Sequence, residues 1–119
     1  MLASRARLKT SADFRETTRH GVRVARPSMV VHLRATQSPL DEVNPTRVGF
    51  VVSKAVGGAV VRNRVKRQLR HLARPLVEAH PTGYDVVVRA LPAAVGSSRL
   101  DDDLRGAWRG AITRLEARR

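Results

Sequence analysis

The run VGFVVSKAVGGAVVRNRVKRQLRHLARPLVEAHPTGYDVVVR, residues 48–89, holds a strand, a helix and a second strand in succession. Val48-Gly49-Phe50-Val51-Val52 is β-branched and bounded by turn residues, which predicts a buried strand. Gly57-Gly58 marks a turn, and a helix from Ala59 to Ala79 follows it. The apolar residues Val61, Val65, Leu69, Leu72 and Leu76 fall in one narrow sector at the helical period. Pro81 and Gly83 then introduce a strand from Tyr84 to Arg89.

Upstream, Thr10 or Ser11 is placed to cap a short helix, with Asp13 and Glu16 in its first turn. Gly21 stops that helix near His20. Two extended runs follow, Val22 to Ala25 and Met29 to Leu33, with Pro27 as the break between them. Ser38-Pro39, Asp41-Glu42 and Asn44-Pro45 make Thr36 to Thr46 a surface loop. Downstream, a helix begins near Ser98 with Asp101, Asp102 and Asp103 in its first turn. It buries Leu100, Leu104, Trp108, Ala111, Ile112 and Leu115 on one stripe. The order is α-β-β-β-α-β-α, an α+β two-layer sandwich with helices packed on a four-stranded sheet. With 119 residues, 1–119 is expected to be a single domain.

Charge narrows the function. Lys and Arg total 23 against 10 acidic residues, for a net charge of +13 and a pI near 11.8. Such a surface attracts a polyanion, and nucleic acid is the most abundant one. The chain has no cysteine, which excludes a disulfide framework and a Cys-type zinc finger. Its most apolar run, Val48 to Val52, is too short to cross a bilayer, and no apolar run follows the basic start. A cytoplasmic protein with no membrane partner is expected. Phe14, Phe50, Tyr84 and Trp108 are too few for a base-stacking platform.

The helix from Ala59 carries the sharpest local signal. Asn63, Arg67, Arg70 and Arg74 face directly away from its apolar stripe, flanked by Arg62, Arg64 and Lys66. A solvated helix face ordinarily mixes both signs, whereas Glu78 is the one acid along this helix. One uncompensated sign costs self-repulsion that an anionic partner relieves. Ser53, Lys54, Gly57 and Gly58 at its approach suit a phosphate; the plainer reading is a strand-to-helix turn with Ser53 as local cap. A helix-turn-helix DNA reader is set aside because a strand, not a short helix, precedes this segment.

Catalytic chemistry has no comparable signal. His20, His32, His71 and His80 lack metal-ligand spacing, HExxH and GxxxxGK[ST] are absent, and Ser53 has no evident base. The Asp101–Asp103 run is accounted for by the helix dipole. No catalytic residue and no metal ligand is expected in this chain.

At Gly49 to Arg74, the Val-Ser-Lys run followed by Gly-x-Ala-Val-x-Arg-Asn-Arg-x-Lys-Arg-x-x-Arg resembles the bacterial ribonuclease P protein subunit. Leu8, Phe14 and Gly21 match the first helix of that family, and Gly83 to Arg89 its Gly/Asp/Val/Arg strand, so nearly the whole chain is covered. The resemblance implies a left-handed β-α-β crossover around the basic helix, against the usual handedness. It also implies the protein subunit of a ribonucleoprotein endoribonuclease, a hydrolase that removes the 5′ leader of precursor tRNA. The cleavage chemistry would reside in a catalytic RNA using bound Mg²⁺, mainly RNA-held. Carried over by position, Ser53, Lys54, Arg62, Asn63, Arg64, Lys66, Arg67, Arg70 and Arg74 would face the catalytic RNA. Phe14, Thr18, His32, Arg34 and Phe50 would line a leader cleft between the first helix and the sheet. Thr18 and His32 stand where many relatives have aromatics, so cations such as Arg34 and backbone groups are expected to supply more of the grip. A small structural RNA-binding protein of ribosomal type is the competing reading.

Overall fold

The structure, a computed structural model, describes residues 2–36 and 44–118. A 3-10 turn, Ser4–Ala6, precedes helix α1 (Ser11–His20), strands β1 (Val22–Arg26), β2 (Met29–Ala35) and β3 (Arg47–Val51), and helix α2 (Ala59–Ala79). Strand β4 (Tyr84–Ala90), a second 3-10 turn (Pro92–Ala94) and helix α3 (Leu100–Ala117) complete the described chain. The expected element order therefore holds. Residues 37–43 of the expected surface loop lie outside the described residues.

The sheet order is β1-β2-β4-β3, so the last strand enters between two earlier ones. β1 and β2 form a hairpin in which Arg26 pairs with Met29, and Pro27-Ser28 is its two-residue turn rather than a break. Ser28 is buried there; its N–H and Oγ both donate to Asp103 Oδ2, at 3.3 and 2.7 Å. Asp103 thus ties the hairpin tip to α3 in addition to complementing the helix dipole. β2 pairs antiparallel with β4, and β3 pairs parallel with β4 through the α2 crossover.

Strand alternation gives the sheet two different faces. Val22, Val24, Met29, Val31, Leu33, Val48, Val86 and Val88 point to the main core, where Val65 and Leu69 of α2 and Leu104 and Trp108 of α3 meet them. The opposite face carries Arg23, His32, Arg34, Arg47, Asp85, Val87 and Arg89, and α1 lies across part of it.

Thr10 caps α1 by accepting from the Asp13 N–H at 3.1 Å. The helix ends at Gly21 in extended backbone, not in a left-handed cap. Glycine is required there by crowding: a Cβ would meet the Thr17 and Leu33 carbonyl oxygens at 2.5 and 2.7 Å.

Candidate nucleic-acid interface

Helix α2 is anchored by Val65, Leu69, Ala73 and Leu76, which are buried, and it turns Asn63, Arg64, Arg67 and Arg74 to solvent. Arg62, Lys66 and Arg70 are half-buried flanks of the same surface. Arg74 Nε lies 3.2 Å from Glu78 Oε1, so its charge is partly answered within the helix. None of the other α2 cations has an ion-pair partner among the described residues. Val60, 73% exposed, stands one turn before Arg64 on this surface.

The approach to α2 is a turn in which the Val56 and Gly57 N–H groups donate to the Ser53 and Lys54 carbonyls. Ser53 does not cap α2. Gly58 is the N-cap and supplies no side-chain bond, so the first-turn N–H groups at this end point outward beside exposed Ser53 and Lys54. The expected α2 residues thus run along one side of the helix, with the two approach residues exposed just before its N-terminus.

The second expected cluster is divided by the sheet. Phe14 of α1 covers Gly49 on the face opposite the main core; a Cβ on Gly49 would stand 2.2 Å from Phe14 Cζ. Thr18 follows one turn later, exposed at the rim, with its hydroxyl donating to the Arg15 carbonyl at 3.1 Å. His32 and Arg34 emerge from β2 on this same face. Phe50 does not join them. It pairs with Val88 and packs against the main core, because its neighbour Gly49 faces α1 and successive strand residues alternate sides. Its place in the leader cleft is corrected accordingly.

Arg34 is also not the available cation expected from the sequence. Its Nη2 lies 2.9 Å from Asp85 Oδ2 and 3.6 Å from Asp13 Oδ1, and Arg47 reaches the same two carboxylates at 2.9 and 3.2 Å. Asp85 is 0% exposed, so it requires this pairing. Hydrogen bonding to Asp85 in turn holds the Arg47 guanidinium above its ordinary pKa. Two arginines and two aspartates from α1, β2, β3 and β4 thereby pin α1 to the sheet with no net charge left over.

Sequence reasoning missed Arg23 and Arg89, which are exposed on either side of His32 on this face. The period-2 signal was present: both alternate with the core valines of their strands. Burial first, then the charges of Arg23 and Arg89, push the His32 pKa below its ordinary value, which favours the neutral ring. Its Nδ1 is buried without a partner among the described residues.

No set of three His, Asp or Glu side chains able to hold a metal occurs among the described residues, and Asp13 and Asp85 already have oxygens committed to guanidinium groups. The residues described do not fit a protein-held Mg²⁺. No described helix is long and apolar enough to cross a membrane.

With the surface defined, residues 2–112 match the family model for ribonuclease P. The chain belongs to the ribonuclease P protein family. It is 51% identical to the ribonuclease P protein component of Streptomyces avermitilis over 113 residues, covering 90% of this chain and 92% of that one. It is 46% identical to that of Pseudarthrobacter chlorophenolicus, over 99% of this chain and 85% of the relative. Among solved structures, a Staphylococcus aureus RNase P protein mutant is similar at 30% identity and a TM-score of 0.76, covering 90% of this chain and 88% of that one. The mixed four-stranded sheet and three helices agree with that neighbour, so sequence and fold both place the chain in this family.

Proposed function

We propose that this chain is a single RNA-binding domain that joins the catalytic RNA of ribonuclease P and holds the 5′ leader of precursor tRNA during Mg²⁺-dependent endonucleolytic cleavage. The unbalanced cationic face of α2 carries the reading. Arg62, Arg64, Lys66, Arg67 and Arg70, on a helix anchored by its buried stripe, offer a rigid row of phosphate ligands, with Ser53, Lys54 and the α2 N-terminus preceding it. Arg74 contributes less, since Glu78 already answers its charge.

The leader runs between α1 and the open sheet face, over Phe14 and His32 and past Thr18. Arg34, Arg47, Asp13 and Asp85 set the height of α1 above the sheet rather than contacting phosphate. Mg²⁺ belongs to the RNA in this reading, where it supplies the activated water; the protein's residues bind and orient. The expected partners are RNA alone, neither DNA nor membrane, and the expected compartment is the cytoplasm.

The test is reconstitution with the catalytic RNA and cleavage of precursor tRNA at low Mg²⁺. Stimulation of cleavage is expected, together with no cleavage by protein freed of RNA with ribonuclease. A purified, folded protein that leaves the RNA's activity unchanged refutes the reading in favour of a structural RNA-binding role.

A further inference from the structure

Three cationic or ionisable side chains converge on the open face of the sheet without a described partner. Arg23 of β1 stands directly opposite His32 of β2, and His32 stands opposite Val87 of β4, two residues before Arg89. All three point to the same face, and long side chains on neighbouring strands reach one another at this diagonal spacing. Neither Arg23 nor Arg89 has a carboxylate within ion-pair distance among the described residues. Of the acids on β4 and α1, Asp85 and Asp13 are occupied by Arg34 of β2 and Arg47 of β3, and Glu16 of α1 lies 3.5 Å from His20 of the same helix. Arg23 and Arg89 are two uncompensated cations on one face, on either side of β2, and a bound anion relieves their repulsion.

We propose that Arg23, His32 and Arg89 form a phosphodiester site on the open face of the sheet. The two guanidiniums flank the anion, and His32 presents Nε2 to it, its Nδ1 being buried. In the empty site, burial and the two arginines keep the imidazole neutral. A phosphodiester seated between the arginines reverses the field on the ring, so His32 takes up a proton from solvent as the site fills and releases it as the site empties. Binding at this site therefore tightens as pH falls through the His32 pKa of the bound state and levels off below that of the empty state. The inference rests on the leader reading only for the source of the phosphodiester, which is the leader rather than the catalytic RNA.

The experiment follows the His32 imidazole by NMR in the full chain, with hexauridylate as the single-stranded probe. Saturating probe is expected to raise the His32 pKa by about one unit or more, equivalent to about tenfold tighter binding well below the empty-state pKa than well above the bound-state one. Arg23→Gln should raise the pKa of empty-state His32 and shrink the probe-induced rise. His32→Gln, a change at a half-buried position whose circular dichroism spectrum reports a retained fold, should remove that part of the pH dependence. Probe that binds elsewhere without moving His32, or that does not bind at millimolar concentration, overturns the site. In the holoenzyme, the same pH dependence should strengthen binding of precursor tRNA and not of mature tRNA. If His32 responds to hexauridylate while the two tRNAs behave alike, the phosphodiester site stands and the leader reading falls.

Discussion

Gly49→Ala tests whether α1 is seated on the sheet through a contact that a single methyl group destroys. The added Cβ would lie 2.2 Å from Phe14 Cζ, 2.4 Å from Phe14 Cε1 and 3.1 Å from Leu8 Cβ. The Phe14 ring must therefore move, and over-packing of this kind costs about 1–3 kcal/mol. Against it, alanine restricts the unfolded chain and returns roughly 0.5 kcal/mol. A net loss of about 1.5 kcal/mol is expected. For 119 residues the unfolding entropy is about 250 cal/mol/K, so Tm should fall by about 6 °C. Phe14→Ala alone should cost about 2 kcal/mol in lost apolar burial. With the ring gone, Gly49→Ala should become neutral or slightly stabilising, a coupling of about 2 kcal/mol between the two sites. Thermal and urea unfolding of the four variants measures that coupling. Equal losses from Gly49→Ala with and without Phe14 would show that the ring does not rest on Gly49 and does not seat α1 on the sheet.

Asp85→Asn should cost about 3 kcal/mol, or about 12 °C in Tm, by leaving Arg34 and Arg47 facing a neutral buried amide; an unchanged Tm refutes the clamp. Arg64→Ala or Arg67→Ala should weaken binding to the catalytic RNA and lower its log–log salt slope by about 0.9 per duplex phosphate lost, with Tm held. Glu78→Gln should act in the opposite direction, strengthening RNA binding by releasing Arg74; filter binding over a salt series distinguishes the two effects. The folded-state pKa of His32 lies below the ordinary 6.5, so the stabilisation from its neutral ring is complete above that value. It is lost as pH falls from 6.5 through the folded-state pKa, and His32→Gln should lose less stability across that window. Identical acid profiles in urea unfolding would contradict the lowered pKa that burial and the two arginines give His32.

The amino-acid sequence by itself determined the elements and their order. Helix α2 spans Ala59–Ala79 as its periodicity required, and the strands fall within two residues of the expected bounds. These features were legible because helical period, strand alternation, caps and turn residues act over a few neighbouring positions. The cationic face of α2 was legible for the same reason: a helix with one apolar stripe fixes where its other side points.

Pairing between distant segments was decided by the tertiary structure. Inserting β4 between β2 and β3 brings Asp85 to Arg34 and Arg47, across 51 and 38 residues of chain. That pairing turns an expected leader contact into a neutral clamp. Register also settled the sides of the sheet, sending Phe50 to the main core while Gly49 takes the Phe14 ring. Arg23, His32 and Arg89 belong to three separate strands and share a surface only once β1, β2 and β4 lie side by side. Local propensity says which residues form a strand and which alternate along it. Which face meets a helix, and which charge meets a counter-charge, depends on burial and Coulomb terms that exist only after the strands have paired.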